Sequence, residues 1–389
     1  MSQSKFKKAS LLAGTALVAA GVMTAGTASA DKHARIVSSG QDKTTLRLRG
    51  HVSRQITFVN DGESHRMRHS DSDFSSSRFI LDAAGRINSD LRVRSRIETA
   101  VDDNRNAPAV HDAENGGRSG NDLQTRIAEI VLDHKRFGRI SMGAGNTASN
   151  GVSETNFNNY TMLPGQVELT GRSTWRNEDG TANTDTFENF GQDDGLGRNT
   201  RIRYDTPNLM GFMASVSHLD NQSWDAALRY SGRAFGTRIR AAISYANRDT
   251  GTADEEIYDA GVALSHSSGF GASYGIEYRN EEVRSDDNAT TGAGGTVADP
   301  FFQHATFSYT AKFNDLGTSQ LVYEYVHAEN KVQASNSTGN AHSIGFHQRI
   351  DAAAMEVAIR YSHMELETDG VEYKNDDIDH VSIHTRLRF

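Results

Sequence analysis

The chain has 389 residues, no cysteine, four prolines and a formal charge of −9. Without cysteine it carries no disulfide framework, thiolate metal site or cysteine nucleophile, and its acidity disfavours a nucleic-acid partner, because phosphate binding needs a basic surface. With 36% hydrophobic and 23% charged residues it is neither a bundle of membrane helices nor a disordered tail.

The first segment reads as an address. Lys5, Lys7 and Lys8 precede a small apolar run from Leu11 to Val22, and Ala28-Ser29-Ala30 ends it with small residues. That order is a secretory signal peptide cleaved between Ala30 and Asp31. A spanning anchor fits less well, because Gly14, Thr15 and Gly21 interrupt the run. Residues 1–30 are therefore the expected leader and 31–389 the mature domain, 359 residues long with a formal charge of −12.

After Ala30 no stretch approaches the roughly 18 apolar residues of a spanning helix. Period-2 alternation recurs instead. Leu91, Val93, Ile97 and Val101 share one face of a segment whose other face carries Arg92, Arg94, Arg96 and Glu98. Sixteen such segments are predicted: 44–59, 76–87, 91–101, 125–133, 139–145, 199–205, 211–219, 223–231, 237–246, 257–266, 271–280, 302–313, 319–328, 341–349, 354–363 and 378–389. Short turns alternate with longer polar loops, and only 220–222 breaks the rule. All four prolines fall between strands, where no ladder hydrogen bond is lost.

An even number of strands, short turns at one end and long loops at the other predict an all-β, transmembrane antiparallel barrel. Sixteen staves leave an aqueous lumen, whereas eight are filled by side chains. The often thin apolar face, mixed with Ala, Gly, Ser and Thr, suits lipid or a neighbouring subunit better than the core of a sandwich. Arg47, Arg49, Arg92, Arg94, Arg96, Arg201, Arg203, Arg238 and Arg240 all have lumen parity. Facing lipid, each would cost about 2–4 kcal/mol near the midplane, so that face must be wet. Arg54 departs from the pattern, sharing parity with Leu48, Val52 and Ile56.

Several stretches carry a family likeness. They are Gly50-His51-Val52-Ser53-Arg54 leading to Asp61-Gly62, Ser75-Ser76-Ser77-Arg78-Phe79, and Arg136-Phe137-Gly138-Arg139-Ile140-Ser141-Met142-Gly143 followed by Asn146-Thr147-Ala148-Ser149-Asn150-Gly151. Arg203-Tyr204-Asp205-Thr206-Pro207 with Gly211-Phe212 follows, and the chain ends on Phe389. In order and spacing they resemble the trimeric porins of the Gram-negative outer membrane. The resemblance implies a porin domain over 31–389 with short periplasmic turns, long extracellular loops and a third loop folded into the lumen. It also implies a homotrimer set among outer-membrane lipid and lipopolysaccharide, passing ions and small hydrophilic solutes. Phe389 is similar to the C-terminal signal read by the barrel-assembly machinery.

The third loop, 146–199, holds Glu154, Glu168, Glu178, Asp179, Asp185, Glu188, Asp193 and Asp194 against three arginines, a net charge of −5. A connection of that length inside a compact fold is usually a lid or binding loop. The resemblance makes it the constriction loop. It sets the acids against the wall arginines, foremost Arg49, Arg94, Arg96, Arg201 and Arg203, to give a transverse field. No H-E-x-x-H, G-x-S-x-G or Walker loop is present, so no enzyme is expected. No loop shows the oxygen-ligand spacing of a calcium site, and neither metal nor cofactor is implied. A nonspecific diffusion channel is the expected function, with a substrate-specific channel for sugars or small anions as the alternative.

Overall fold

The computed structural model describes residues 36–38, 44–62, 65–72, 74–101, 123–158, 174–180, 182–186, 194–249, 253–283, 299–331, 336–374 and 377–389. Ala30 and Asp31 lie outside the described residues. Sixteen long strands form one antiparallel sheet. They are β1 (Thr44–Asn60), β2 (Arg78–Arg86), β3 (Leu91–Val101), β4 (Leu123–His134), β5 (Gly138–Asn146), β6 (Arg198–Asp205), β7 (Phe212–Leu219) and β8 (Trp224–Ala234). The series continues with β9 (Thr237–Asp249), β10 (Ala253–His266), β11 (Phe270–Val283), β12 (Phe301–Asn314), β13 (Gly317–Glu329), β14 (Ser337–Ile350), β15 (Met355–Thr368) and β16 (Asp377–Arg388). Each pairs with its neighbours in sequence, and β16 returns to β1 over His51–Asn60, so the sheet closes on itself. The predicted all-β barrel of sixteen staves is the fold of the chain.

The alternation set by lipid outside and polar interior inside is visible in the burial. On β15 the even residues Glu356, Ala358, Arg360, Ser362, Met364 and Leu366 are buried in the interior, while Met355, Val357, Ile359 and Tyr361 face outward. Strands run further than the sequence pattern at the end that carries the long loops. β9 continues to Asp249, β10 starts at Ala253, β11 reaches Val283 and β15 reaches Thr368. The connection at 250–252 is therefore three residues long rather than an extended loop. These ends, such as Arg248-Asp249 and Asp254-Glu255-Glu256, are polar in succession, so they show no alternation to read; the ladder alone continues them.

β1 forks. Its first half pairs with β2 and its second half with a short strand, His65–Ser70. At the parting, Ser77 Oγ donates to the Ser53 carbonyl at 3.2 Å and accepts from its N–H at 2.9 Å, and buried Asp71 holds Ser77 by both N–H and Oγ.

Candidate functional site

The interior is filled unevenly. Along β12–β16 the inward side chains are almost wholly covered: His304, His347 and His380 are 0% exposed and Arg360 is 3% exposed. Two loop segments reach them. Phe74 of the first loop packs edge-on against His384, with ring centroids 4.9 Å apart, and under the Arg360 guanidinium at 5.3 Å, while Ser75 accepts from Arg386. Trp175 of the third loop sits among Phe302, Val326, Met364 and Leu366. Sequence alternation found the lumen face but gave no sign that the first loop enters it.

The opposite wall is open. A cavity of about 550 Å³ lies against β1–β6, lined by Arg47, Arg94, Arg96, Arg139, Arg201 and Arg203 with Asp82, Glu129 and Asp205. Asp82 accepts from Arg49 Nε at 2.8 Å and from Arg96 Nε at 2.7 Å, so one carboxylate aligns the guanidinium groups of the two flanking strands. Arg94 pairs with Asp133 at 2.8 Å. The side chains of Arg94 and Arg96 remain 41% and 39% exposed, so their charge faces the cavity. Arg47, opposite Asp82 in the ladder, and Arg92 are also exposed.

Arg201 and Arg203 have other work. Arg201 is buried, bonded to Glu129 at 2.5 Å and to the carbonyls of Gly143 and Asn146. Arg203 binds Asp205 and, at 2.6 Å, the Thr147 carbonyl. Both arginines hold the root of the third loop. They share parity and residue type with Arg94 and Arg96, and only the position of the loop separates the two pairs.

From that root the loop crosses the inner wall. Asp225 of β8, 0% exposed, accepts from the N–H groups of Ala148 and Ser149, from Ser149 Oγ and from Ser217 Oγ. The Asn150, Ser153 and Asn156 carbonyls then accept from Arg229, His304 and Arg240. Gly261 and Gly275 make this path available: a Cβ there would lie 2.3 and 2.2 Å from the Val152 and Ser153 carbonyl oxygens. The returning end meets the start, where Thr147 N–H donates to the Gly197 carbonyl and Leu196 N–H to Ser149 Oγ. Asp225 is the residue sequence reasoning missed; its signal was a lone acid at lumen parity.

Of the loop acids, Glu154 lines a second cavity of about 650 Å³ beneath the loop. Asp194 accepts from Asn150 Nδ2 at 2.6 Å and from the Gly151 N–H. Burial, with the Glu154 charge nearby, pushes its carboxyl well above the usual carboxylate range. Glu178 and Asp179 are exposed in a turn beside Arg176, which pairs with Asp61 at 2.6 Å. Glu168, Glu188 and Asp193 lie outside the described residues, as does the side chain of Asp185.

No curated protein matches the chain in sequence. Solved structures do match in fold. OmpT, an outer membrane protein of Vibrio cholerae, superposes with a TM-score of 0.58 at 14% identity, covering 92% of this chain and 100% of that one. The anion-selective porin from Comamonas acidovorans gives 0.57 at 15% identity over 89% and 100%. The outer membrane channel DcaP of Acinetobacter baumannii gives 0.58 at 12% identity over 90% and 99%. A family profile described as Gram-negative porin matches residues 13–384. The closed sixteen-strand wall and a family match over nearly the whole length make this chain a member of the Gram-negative porins, channel-forming barrels of the outer membrane.

Proposed function

We propose that the chain, after loss of its leader at Ala30–Asp31, works as a trimeric diffusion channel for ions and small hydrophilic solutes. The observation that carries this reading is the half-exposed arginine wall of β1–β3 over an open cavity, with the third loop crossing the lumen. Liposome swelling with a size-graded panel of neutral sugars tests it. Rates falling smoothly with size support general diffusion, and a sharp preference at equal size supports a substrate-specific channel.

The wall sets ion choice. A charge about 7 Å from a permeating ion in water is worth roughly 0.6 kcal/mol, a factor of two to three in local concentration. Screening confines this to about 8–10 Å at physiological salt and about 3 Å at 1 M. Arg94→Gln with Arg96→Gln is expected to raise cation over anion permeability several-fold in dilute salt and little at 1 M, read as reversal potential across a salt gradient. An unchanged reversal potential in dilute salt removes these arginines from the ion path.

The outer surface supports the trimer. An aromatic row links Trp224, Tyr245, Tyr258 and Tyr278 with ring centroids 5.2, 5.2 and 6.3 Å apart, and a second contains Phe270, Tyr309 and Phe313. Phe270 and Tyr278 are eight residues apart on β11, roughly 27 Å of strand and about 20 Å of height at a ~40° tilt, as aromatic girdles at the two edges of an apolar band require. Between Phe79 and Phe137 there is no aromatic residue, yet β3–β5 expose Ile97, Ile130, Leu132 and Met142. An apolar face whose strands carry no aromatic anchor, with the exposed Phe137 confined to the β4–β5 turn, suits a neighbouring copy, and the anchored face suits lipid and lipopolysaccharide. Ile130→Arg is expected to convert trimer to monomer after mild detergent extraction, since a charge buried without a partner between subunits costs about 3–5 kcal/mol; a stable trimer counts against this face.

A further inference from the structure

The third loop carries a feature that free diffusion does not use. The ring centroid of Phe157 lies 4.5 Å from the Arg238 guanidinium carbon and 4.4 Å from that of Arg240. These are successive inward residues of β9, and both are exposed. Arg238 donates to Ser265 Oγ at 2.8 Å and Arg240 to the Asn156 carbonyl at 2.7 Å. Among the described residues neither has a carboxylate partner, whereas Arg49, Arg94, Arg96 and Arg203 each pair with an acid.

Two like charges on one strand face repel, and an aromatic face relieves this only in part. What the ring does provide is orientation. A planar guanidinium held against it keeps the remaining N–H donors in one fork, the geometry that suits an oxyanion. The fork has room in front of it. Phe157 and Arg238 are shared by the cavity of about 650 Å³, which also contains Arg229, and by one of about 480 Å³, which contains Arg349 and the polar side chains of Asn158, Ser273 and Gln320. Among the described residues, the only acid lining either cavity is Glu154.

We propose that Arg238, Arg240 and Phe157 form a binding subsite for a divalent oxyanion, the chemistry shared by phosphate and small dicarboxylates, on the path of solute through the lumen. This rests on the channel reading and deepens it: such anions dwell at the subsite while neutral solutes of the same size pass.

The test is planar-bilayer recording of the full chain in dilute potassium chloride, with inorganic phosphate or succinate added to one side. The wild type is expected to show a concentration-dependent fall in chloride current with both probes. Arg238→Gln with Arg240→Gln should shift the half-effect about ten-fold upward, and Phe157→Leu, which keeps both charges, about three-fold. If the double variant does not assemble, Arg238→Lys with Arg240→Lys keeps the charge and loses the fork, and a weakening of about three-fold is expected. Response to phosphate alone or to succinate alone overturns the shared oxyanion chemistry. An unchanged half-effect in the variants, or no response in a wild type that conducts chloride, overturns the subsite and leaves the channel standing. A wild type that conducts no chloride overturns the channel reading itself.

Discussion

Deletion of Phe389 is expected to leave most of the chain in the periplasm, unfolded and open to protease. The residue closes the seam of the barrel: its N–H donates to the Gly50 carbonyl and its carbonyl accepts from the Gly50 N–H, both at 3.0 Å. Its ring lies over Gly50 on the outer face, where an added Cβ would meet it at 2.8 Å and the Arg78 carbonyl at 2.5 Å. Two backbone hydrogen bonds contribute about 1 kcal/mol each, too little to unfold a sixteen-stranded ladder. A large effect therefore means that the terminal residue is read during insertion by the assembly machinery. Gly50→Leu separates the two roles, because it disturbs the seam and keeps the terminal residue. Folded yield in the outer membrane, measured by heat-modifiable mobility, should be nearly abolished by the deletion and only reduced by Gly50→Leu. Normal yield from the truncated chain overturns the signal reading.

Asp225→Ala is expected to free the root of the third loop. The substitution removes the acceptor for the Ser149 N–H and for two hydroxyls in a fully buried position, while the Ala148 N–H keeps Ser217 Oγ at 2.8 Å. Each buried donor left unsatisfied costs about 1–3 kcal/mol, so the neck at Thr147–Ser149 is weakened and left to its bonds with Gly197, Leu196, Ser217 and Arg203. The barrel ladder does not pass through this residue's side chain, and strand content by circular dichroism should stay close to wild type. Single-channel recording should show a conductance raised by about half or more, with frequent transitions between levels. A single level of wild-type size shows that Arg201, Arg203 and the contacts along Asn150–Asn158 hold the loop without Asp225.

The sequence alone determined the staves. Water on one face and lipid on the other impose a period of two on every strand within the membrane, so Arg94 and Arg96 could be assigned to the inner wall from their alternation with Val93 and Ile97. That signal stops where the environment stops alternating, so it does not reach the strand ends at Asp249, Ala253 and Val283. Tertiary structure decided which inward residues face open space. Arg94 and Arg203 are indistinguishable by parity and chemistry and line the same cavity, yet the Arg94 side chain is 41% exposed while that of Arg203, bound to the Thr147 carbonyl, is 14% exposed. His384 meets Ser72 and Arg386 meets Ser75, partners more than 300 residues apart, and no local pattern encodes contacts of that range. Alternation reports the solvent on each side of a strand. Which loop then covers the wet side depends on shape and hydrogen-bond matching across the lumen, properties that exist only once the barrel has closed.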